Sequence, residues 1–297
     1  MTEIQYVREL RRQRLKWPYE LKVQHAKWRI RQWQQHYGEQ TYVAFSGGKD
    51  SRVLLALVCE DYPHTPGVFV DSGLEFPEVR DYVQTIKNVT WLKPGKSFYQ
   101  VLQNYGYPVI SKQISKQIQE MRTGRNNAKT CQLYLSGGKS PRFRFPDKWK
   151  FLLNAPFPIS AQCCEVMKKR TFRAYTHQTG RVGYIGLLAT ESRQRLARYL
   201  QQQCNLYDAA TPTSSPLALW TETDIWRYLR EHQLPVAASY AMGYPRTGCL
   251  FCLFGIHLEK PPNRLQRLKL THPALHAYCL DTLGIRNVCQ YLNIPCE

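Results

Sequence analysis

Short apolar runs alternate with helix-patterned stretches along the first two thirds of the chain. Thr41-Tyr42-Val43-Ala44-Phe45 is nearly continuous in apolar character, as a strand buried on both faces requires. Residues 51–60 then place Val53, Leu54, Leu57 and Val58 at helical spacing. Val68-Phe69-Val70 predicts a second strand and residues 76–86 a second helix; Val89-Thr90-Trp91-Leu92 and residues 182–188 predict two further strands. Strands alternating with helices predict an α/β fold: an open, mostly parallel twisted sheet with helices on both faces. Ahead of the sheet, residues 1–38 read as helical with a break at Trp17-Pro18, because proline disfavours the α conformation in the residue before it. Gly38 supplies the stop.

Two regions depart from this pattern. Between 123 and 158, Gly124, Asn126, Asn127, Gly137, Gly138, Pro141, Pro146, Pro156 and Pro158 interrupt any periodicity, so an insertion or lid is expected. After Pro235 the chain turns rich in Gly, Pro and Cys. The expected organisation is a basic helical region over 1–40, a nucleotide-binding domain over 41–235 and a small cysteine-bearing module over 236–297.

The strongest chemical signal is Ser46-Gly47-Gly48-Lys49-Asp50-Ser51, between the first strand and its helix. Glycine lets a backbone turn tightly and approach an anion with no Cβ in the way. A loop that opens a helix points unpaired N–H groups and the positive end of the helix dipole at bound phosphate. Lys49, Asp50 and Ser51 are the catalytic candidates: a positive charge, a carboxylate for Mg2+ or for fixing the loop, and a hydroxyl. The run lacks the Gly-x-x-x-x-Gly-Lys-Ser/Thr spacing of a Walker A loop. Ser136-Gly137-Gly138-Lys139-Ser140 echoes it without a preceding strand or the Asp, and reads as chance.

Charge adds a partner class. Among 297 residues, 41 Lys and Arg against 22 Asp and Glu give a net +19, an excess that attracts polyanions. Arg8, Arg11, Arg12, Arg14, Lys16, Lys22, Lys27, Arg29 and Arg31 are interleaved with Trp17, Tyr19, Trp28 and Trp33, which either pack internally or stack on bases. No apolar run approaches a membrane span and no secretory h-region opens the chain, so a cytoplasmic protein is expected. Ten cysteines in a chain of this size suggest metal or redox chemistry rather than a disulfide scaffold. Cys249-Leu250-Phe251-Cys252 is a natural chelate, and with Cys163-Cys164 it offers four thiolates for zinc or an iron–sulfur cluster. Cys59 and Cys204 read as structural, and Cys289 and Cys296 as candidates for a mobile thiol. His257 is the histidine nearest the Cys-x-x-Cys segment.

Strand, Ser-Gly-Gly-Lys-Asp-Ser and helix together resemble the pyrophosphate loop of the ATP pyrophosphatase superfamily. The resemblance extends over about residues 40–280. Residues 69–77 resemble the family's second-strand segment and 185–193 the segment closing on ATP, while 216–226 are similar to a motif of its PAPS/APS reductase-like branch. It implies an adenine nucleotide alpha hydrolase-like fold, with ATP held by Ser46, Gly47, Gly48, Lys49, Asp50, Ser51, Asp71, Ser72, Gly186, Glu191 and Arg195. The adjacent Cys pair followed by Cys-x-x-Cys resembles the four-iron cluster signature of the APS-reductase branch. This implies a 4Fe-4S cluster on ligands drawn from Cys163, Cys164, Cys249, Cys252 and Cys279.

Within that branch the chain resembles the DndC/SspD-type enzymes of DNA phosphorothioation. ATP cleavage between the α and β phosphates would then activate a nucleic acid, DNA ahead of tRNA, for sulfur insertion, with a cysteine desulfurase as an implied partner. The alternatives are sulfonucleotide reduction, tRNA base thiolation and a non-enzymatic basic iron–sulfur protein. Reductases of the branch typically carry a degenerate phosphate loop and a nucleophilic Cys in a Glu-Cys-Gly-Ile/Leu-His segment. Here the loop is intact and that segment is not in the sequence.

Overall fold

The computed structural model describes residues 3–124, 128–137 and 144–297. Gly138, Lys139 and Ser140 of the second Ser-Gly-Gly-Lys run lie outside the described residues, as do Asn126, Asn127 and Pro141. The strands are β1 (Thr41–Ala44), β2 (Gly67–Val70), β3 (Val89–Leu92), β4 (Val109–Ile110), β5 (Val182–Ile185), β6 (Asn205–Leu206), β7 (Thr213–Ser214) and β8 (Leu253–Phe254). The helices are α1 (Glu3–Arg14), α2 (Tyr19–Tyr37), α3 (Lys49–Asp61), α4 (Pro77–Gln84), α5 (Phe98–Tyr105), α6 (Lys112–Thr123) and α7 (Ala128–Ser136). They continue with α8 (Arg170–Thr179), α9 (Arg193–Gln202), α10 (Glu222–Glu231), α11 (Arg264–Thr271), α12 (Pro273–Ala277) and α13 (Ile285–Tyr291). Two compact units interleave along the sequence: Met1–Asp71, Phe76–Lys93 and Phe172–Thr247 form the first, and Ser72–Glu75, Pro94–Thr171 and Gly248–Glu297 the second.

The first unit holds a six-stranded sheet in the order β3-β2-β1-β5-β7-β6, parallel except for the antiparallel β6–β7 pair. The expected α/β architecture, a mostly parallel sheet flanked by helices, is what the chain adopts. β1 is the switch point of the sheet. It pairs with β2 on one side, Val43 opposite Gly67, and with β5 on the other, Val43 opposite Tyr184. Chain direction of the crossovers reverses there, opening a crevice at the carboxyl ends of β1 and β5 where ligands bind in such sheets. Val43, Val53, Leu54, Leu57 and Val58 are almost wholly buried. α2 adds Ala26, Ile30 and Trp33 to this core, and the Tyr184 hydroxyl donates to the Ile30 carbonyl at 3.2 Å. The expected break at Trp17-Pro18 separates α1 from α2.

In the second unit β4 and β8 form a parallel pair, which joins the segment beginning at Gly248 to residues 94–171. Ser115 Oγ fixes β4 by donating to the Val109 carbonyl at 2.6 Å and accepting from the Val109 amide at 3.0 Å. Gly106 has φ +96°, and a Cβ there would sit 2.4 Å from the Pro158 carbonyl, a close approach only glycine permits. The expected insertion lies within this unit and, where described, contains α7 and a 3-10 helix over Asp147–Asn154.

Candidate nucleotide site and cysteine pocket

In the first unit, β1 runs into the 46–51 loop and α3 begins at Lys49. Gly47 adopts φ +71°, and a Cβ there would meet Val79 Cγ1 at 2.6 Å and Val83 Cγ2 at 2.8 Å. Sterics thus require the first glycine. Gly48 is the N-cap of α3 and supplies no side-chain cap, so nothing from that position competes with an anion for the first-turn amides. The loop is braced from within. Ser51 Oγ donates to the Gly48 carbonyl at 2.9 Å, accepts from the Ser46 amide at 3.2 Å and lies 3.1 Å from Ser46 Oγ.

Lys49 is buried, with Nζ 3.2 Å from Glu222 Oε1 and 3.9 Å from Asp50 Oδ1. Asp50 Oδ1 is buried with no hydrogen-bond partner. Burial raises the Asp50 carboxyl above its ordinary range, against the opposing pull of Lys49. Asp71 Oδ1 is likewise buried without a hydrogen bond, while its Oδ2 accepts from Arg80 at 2.9 Å. An orphaned carboxylate oxygen is a hard donor of the kind Mg2+ takes, so Asp50, with Asp71 as a second such group, fits a magnesium role.

Other expected residues gather at the same place. Gly186, after β5, lies so close that a Cβ would be 3.2 Å from the Ser51 amide nitrogen. Arg195 forms an ion pair with Glu191, whose other oxygen lies 3.8 Å from Arg246, and Asp50 acts on Arg195 electrostatically. Ser72, by contrast, belongs to the second unit, where its Oγ donates to Glu75 at 2.7 Å. Tyr240 was not anticipated. Its hydroxyl accepts from the Lys49 amide at 2.9 Å, and its ring centroid lies 5.8 Å from Lys49 Nζ. Nor was Glu222 singled out for the ion pair it makes with Lys49.

In the second unit Cys163, Cys164, Cys249 and Cys252 line one cavity with Leu74, Phe98, Pro108, Met167 and Lys168. The π-helical turn Glu165–Lys169 follows the Cys pair and carries Met167 and Lys168. Cys163 Sγ donates to Cys164 Sγ at 3.9 Å, which with Lys112 and Lys168 holds Cys164 well below the usual thiol range. Burial pushes Cys249 up to about 11 against the pull of Lys168. Lys168 on the cavity wall is neutralised in part by Glu75, 3.0 Å from its Nζ. Glu75 also accepts from the Ser72 and Leu74 amides at 2.9 and 3.2 Å, and the Leu74 carbonyl accepts from the Leu250 amide at 2.8 Å. Residues 72–75 are thereby stitched to the Cys-x-x-Cys segment. Neither this brace nor Lys168 has a signature in the sequence.

Among the described residues no three His, Cys, Asp or Glu groups draw together tightly enough to hold a single metal ion. Four thiols around one shared cavity are a donor set of the kind a four-iron cluster takes, in which each thiolate binds its own iron. Cys279 stands apart from them. It is fully buried and interacts with Cys289 and Cys296, because the helical turn that carries it packs against α13. Cys289 and Cys296 are themselves buried and hydrogen-bonded to each other, which makes neither a mobile thiol. His257 lies edge-on to Trp149, ring centroids 5.2 Å apart, and does not line the cysteine cavity.

A parallel sheet with a glycine-rich phosphate loop at its switch point defines a nucleotide-binding α/β protein. Residues 40–123 and 144–253 match the phosphoadenosine phosphosulfate reductase domain, and the chain belongs to that family. Curated relatives include adenosine 5'-phosphosulfate reductase of Geobacillus kaustophilus, 25% identical over 73% of this chain and 74% of that protein. Adenosine 5'-phosphosulfate reductase 2 of Bacillus subtilis is 26% identical over 73% of each. An uncharacterised protein of Methanocaldococcus jannaschii is 25% identical over 71% of this chain and 35% of its own length. Among solved structures, phosphoadenylyl-sulfate reductase from Candida auris in a phosphate complex aligns with TM-score 0.46 and 12% identity, covering 84% of this chain and 96% of that one.

Proposed function

We propose that the chain binds ATP on the 46–51 loop, cleaves it between the α and β phosphates and uses the activation to place sulfur in a nucleic acid, as in DNA phosphorothioation. One observation carries the reading: a helix start whose N-cap glycine supplies no side-chain cap, a buried Lys49 and an Asp50 oxygen without a hydrogen bond meet on a loop braced by Ser46 and Ser51. First-turn amides of α3 and the Lys49 ammonium would hold the phosphates and stabilise charge on the departing pyrophosphate. Gly186 lets the chain after β5 pack against the loop backbone at Asp50 and Ser51. Magnesium at Asp50 would neutralise phosphate charge during cleavage. Cys163, Cys164, Cys249 and Cys252 would hold a 4Fe-4S cluster, which supplies electron or sulfur transfer. A cysteine desulfurase is the sulfur source this chemistry calls for.

A second reading is reduction of adenylyl sulfate or phosphoadenylyl sulfate, and the names of the curated relatives favour it directly. The loop's amides would then bind the nucleotide's phosphate without any pyrophosphate leaving. The two readings separate in a paired assay on anaerobically purified protein. Pyrophosphate released from Mg-ATP, with labelled sulfur entering an added oligonucleotide, supports the first. Sulfite formed from APS or PAPS with a thiol reductant, and no pyrophosphate from ATP, overturns it in favour of the second.

A further inference from the structure

We propose that α1 and α9 form a nucleic-acid-binding face that leads a phosphate backbone to the nucleotide loop. The proposal rests on the nucleic-acid reading above and locates the surface that reading requires. α9 carries Arg193, Arg195 and Arg198 and no acidic residue. Arg193 and Arg198 are exposed and make no ion pair among the described residues. One end of α9 reaches the loop: Ser192 caps it, and Arg195 there feels both Asp50 and Arg246. α1 crosses the other end, where Arg11 Nη1 donates to the Leu200 carbonyl at 2.6 Å. Ile4, Val7, Arg8 and Arg11 line a groove there with Leu200 and Gln201.

The basic strip therefore continues from α9 onto α1, where Arg8, Arg12 and Lys16 are exposed and Arg14 lies 5.6 Å from the centre of the Trp17 ring. Among the described residues Glu9, 3.3 Å from Arg12, answers these charges, and as an exposed pair it does so weakly. Ten residues of helix extend about 15 Å, and phosphates recur about every 3.4 Å along one strand, so α9 alone spans roughly four phosphates. α1 also exposes Ile4, Tyr6 and Leu10, as a basic membrane-surface helix would. The unpaired arginines of α9 favour nucleic acid, because they carry the charge away from that apolar face and toward the site of phosphate chemistry.

The test uses the full chain without ATP. Fluorescence anisotropy follows its binding to labelled single-stranded DNA, duplex DNA and RNA of equal length across a salt series, with anionic phospholipid vesicles as a further arm. The comparison is with the triple variant Arg8→Gln/Lys16→Gln/Arg198→Gln. Three lost phosphate contacts should reduce the slope of log affinity against log salt by about two to three. Thermal midpoint and nucleic-acid-free pyrophosphate release should stay as in the wild type, and the polymer with the largest slope change identifies the acceptor class. An unchanged slope on every oligonucleotide overturns the proposal, as does a loss confined to vesicle binding. A reduced slope in a protein that releases no pyrophosphate keeps this surface and removes the ATP-cleavage reading instead.

Discussion

Gly47→Ala tests the geometry of the phosphate loop without touching its charges. The new Cβ would lie 2.6 Å from Val79 Cγ1 and 2.8 Å from Val83 Cγ2, and both valines are fully buried on α4. Alanine at φ +71° costs about 1–2 kcal/mol for the left-handed conformation. Forcing a methyl into closed packing costs about 1–3 kcal/mol more. The variant should therefore lose roughly 2–5 kcal/mol in urea denaturation followed by circular dichroism. Val79→Ala in the same chain would relieve the closer of the two clashes but leave Val83 and the backbone strain. The double variant should be more stable than the sum of the single losses by about 1–3 kcal/mol. A Gly47→Ala loss within about 0.5 kcal/mol of zero, or strict additivity with Val79→Ala, would refute the loop conformation.

Three further outcomes follow from other groups. His25 is buried and accepts from Arg29 Nε at 3.4 Å, and burial together with Arg29 lowers it from 6.5 to about 4. Its neutral form is favoured on folding, so the contribution is complete above pH 6.5 and is lost as pH falls toward 4. That loss amounts to at most about 3 kcal/mol, and a His25→Gln variant should flatten the stability profile over this window. Cys249→Ser/Cys252→Ser should abolish iron binding and the broad visible absorption of anaerobically reconstituted protein; bound zinc in place of iron would contradict the cluster assignment. Glu75→Gln removes the countercharge of Lys168 and weakens the brace on the Cys-x-x-Cys segment, for a loss of about 2–3 kcal/mol by chemical denaturation.

Legibility in the sequence followed the range of the forces. The strand at Thr41, the loop and α3 were plain because a doubly buried strand is continuously apolar and the loop's chemistry is local. The paired strands β4 and β8, and likewise β6 and β7, have two residues each, too few for any period to show. The interleaving of the units was hidden too, since β8 finds its partner in β4 across about half of the chain. The structure places Lys49, Asp50, Gly186, Glu191 and Arg195 near one another. Tyr240 and Glu222 reach Lys49 from α10 and the turn beyond it, and no spacing rule forecasts a hydroxyl meeting a helix-start amide. Cys279 looked like a ligand by resemblance, yet packing decides its place, and its neighbours are Cys289 and Cys296.

The claim that this loop releases pyrophosphate is tested most directly by product analysis. Wild-type protein given Mg-ATP, an oligonucleotide and a sulfide donor should yield AMP and pyrophosphate in equal amounts. Lys49→Ala, folded by its circular dichroism, should slow this about a hundred- to a thousand-fold, the usual effect of removing one charge-stabilising group from a reaction centre. ADP and inorganic phosphate as products, or an undiminished rate in Lys49→Ala, would contradict the account.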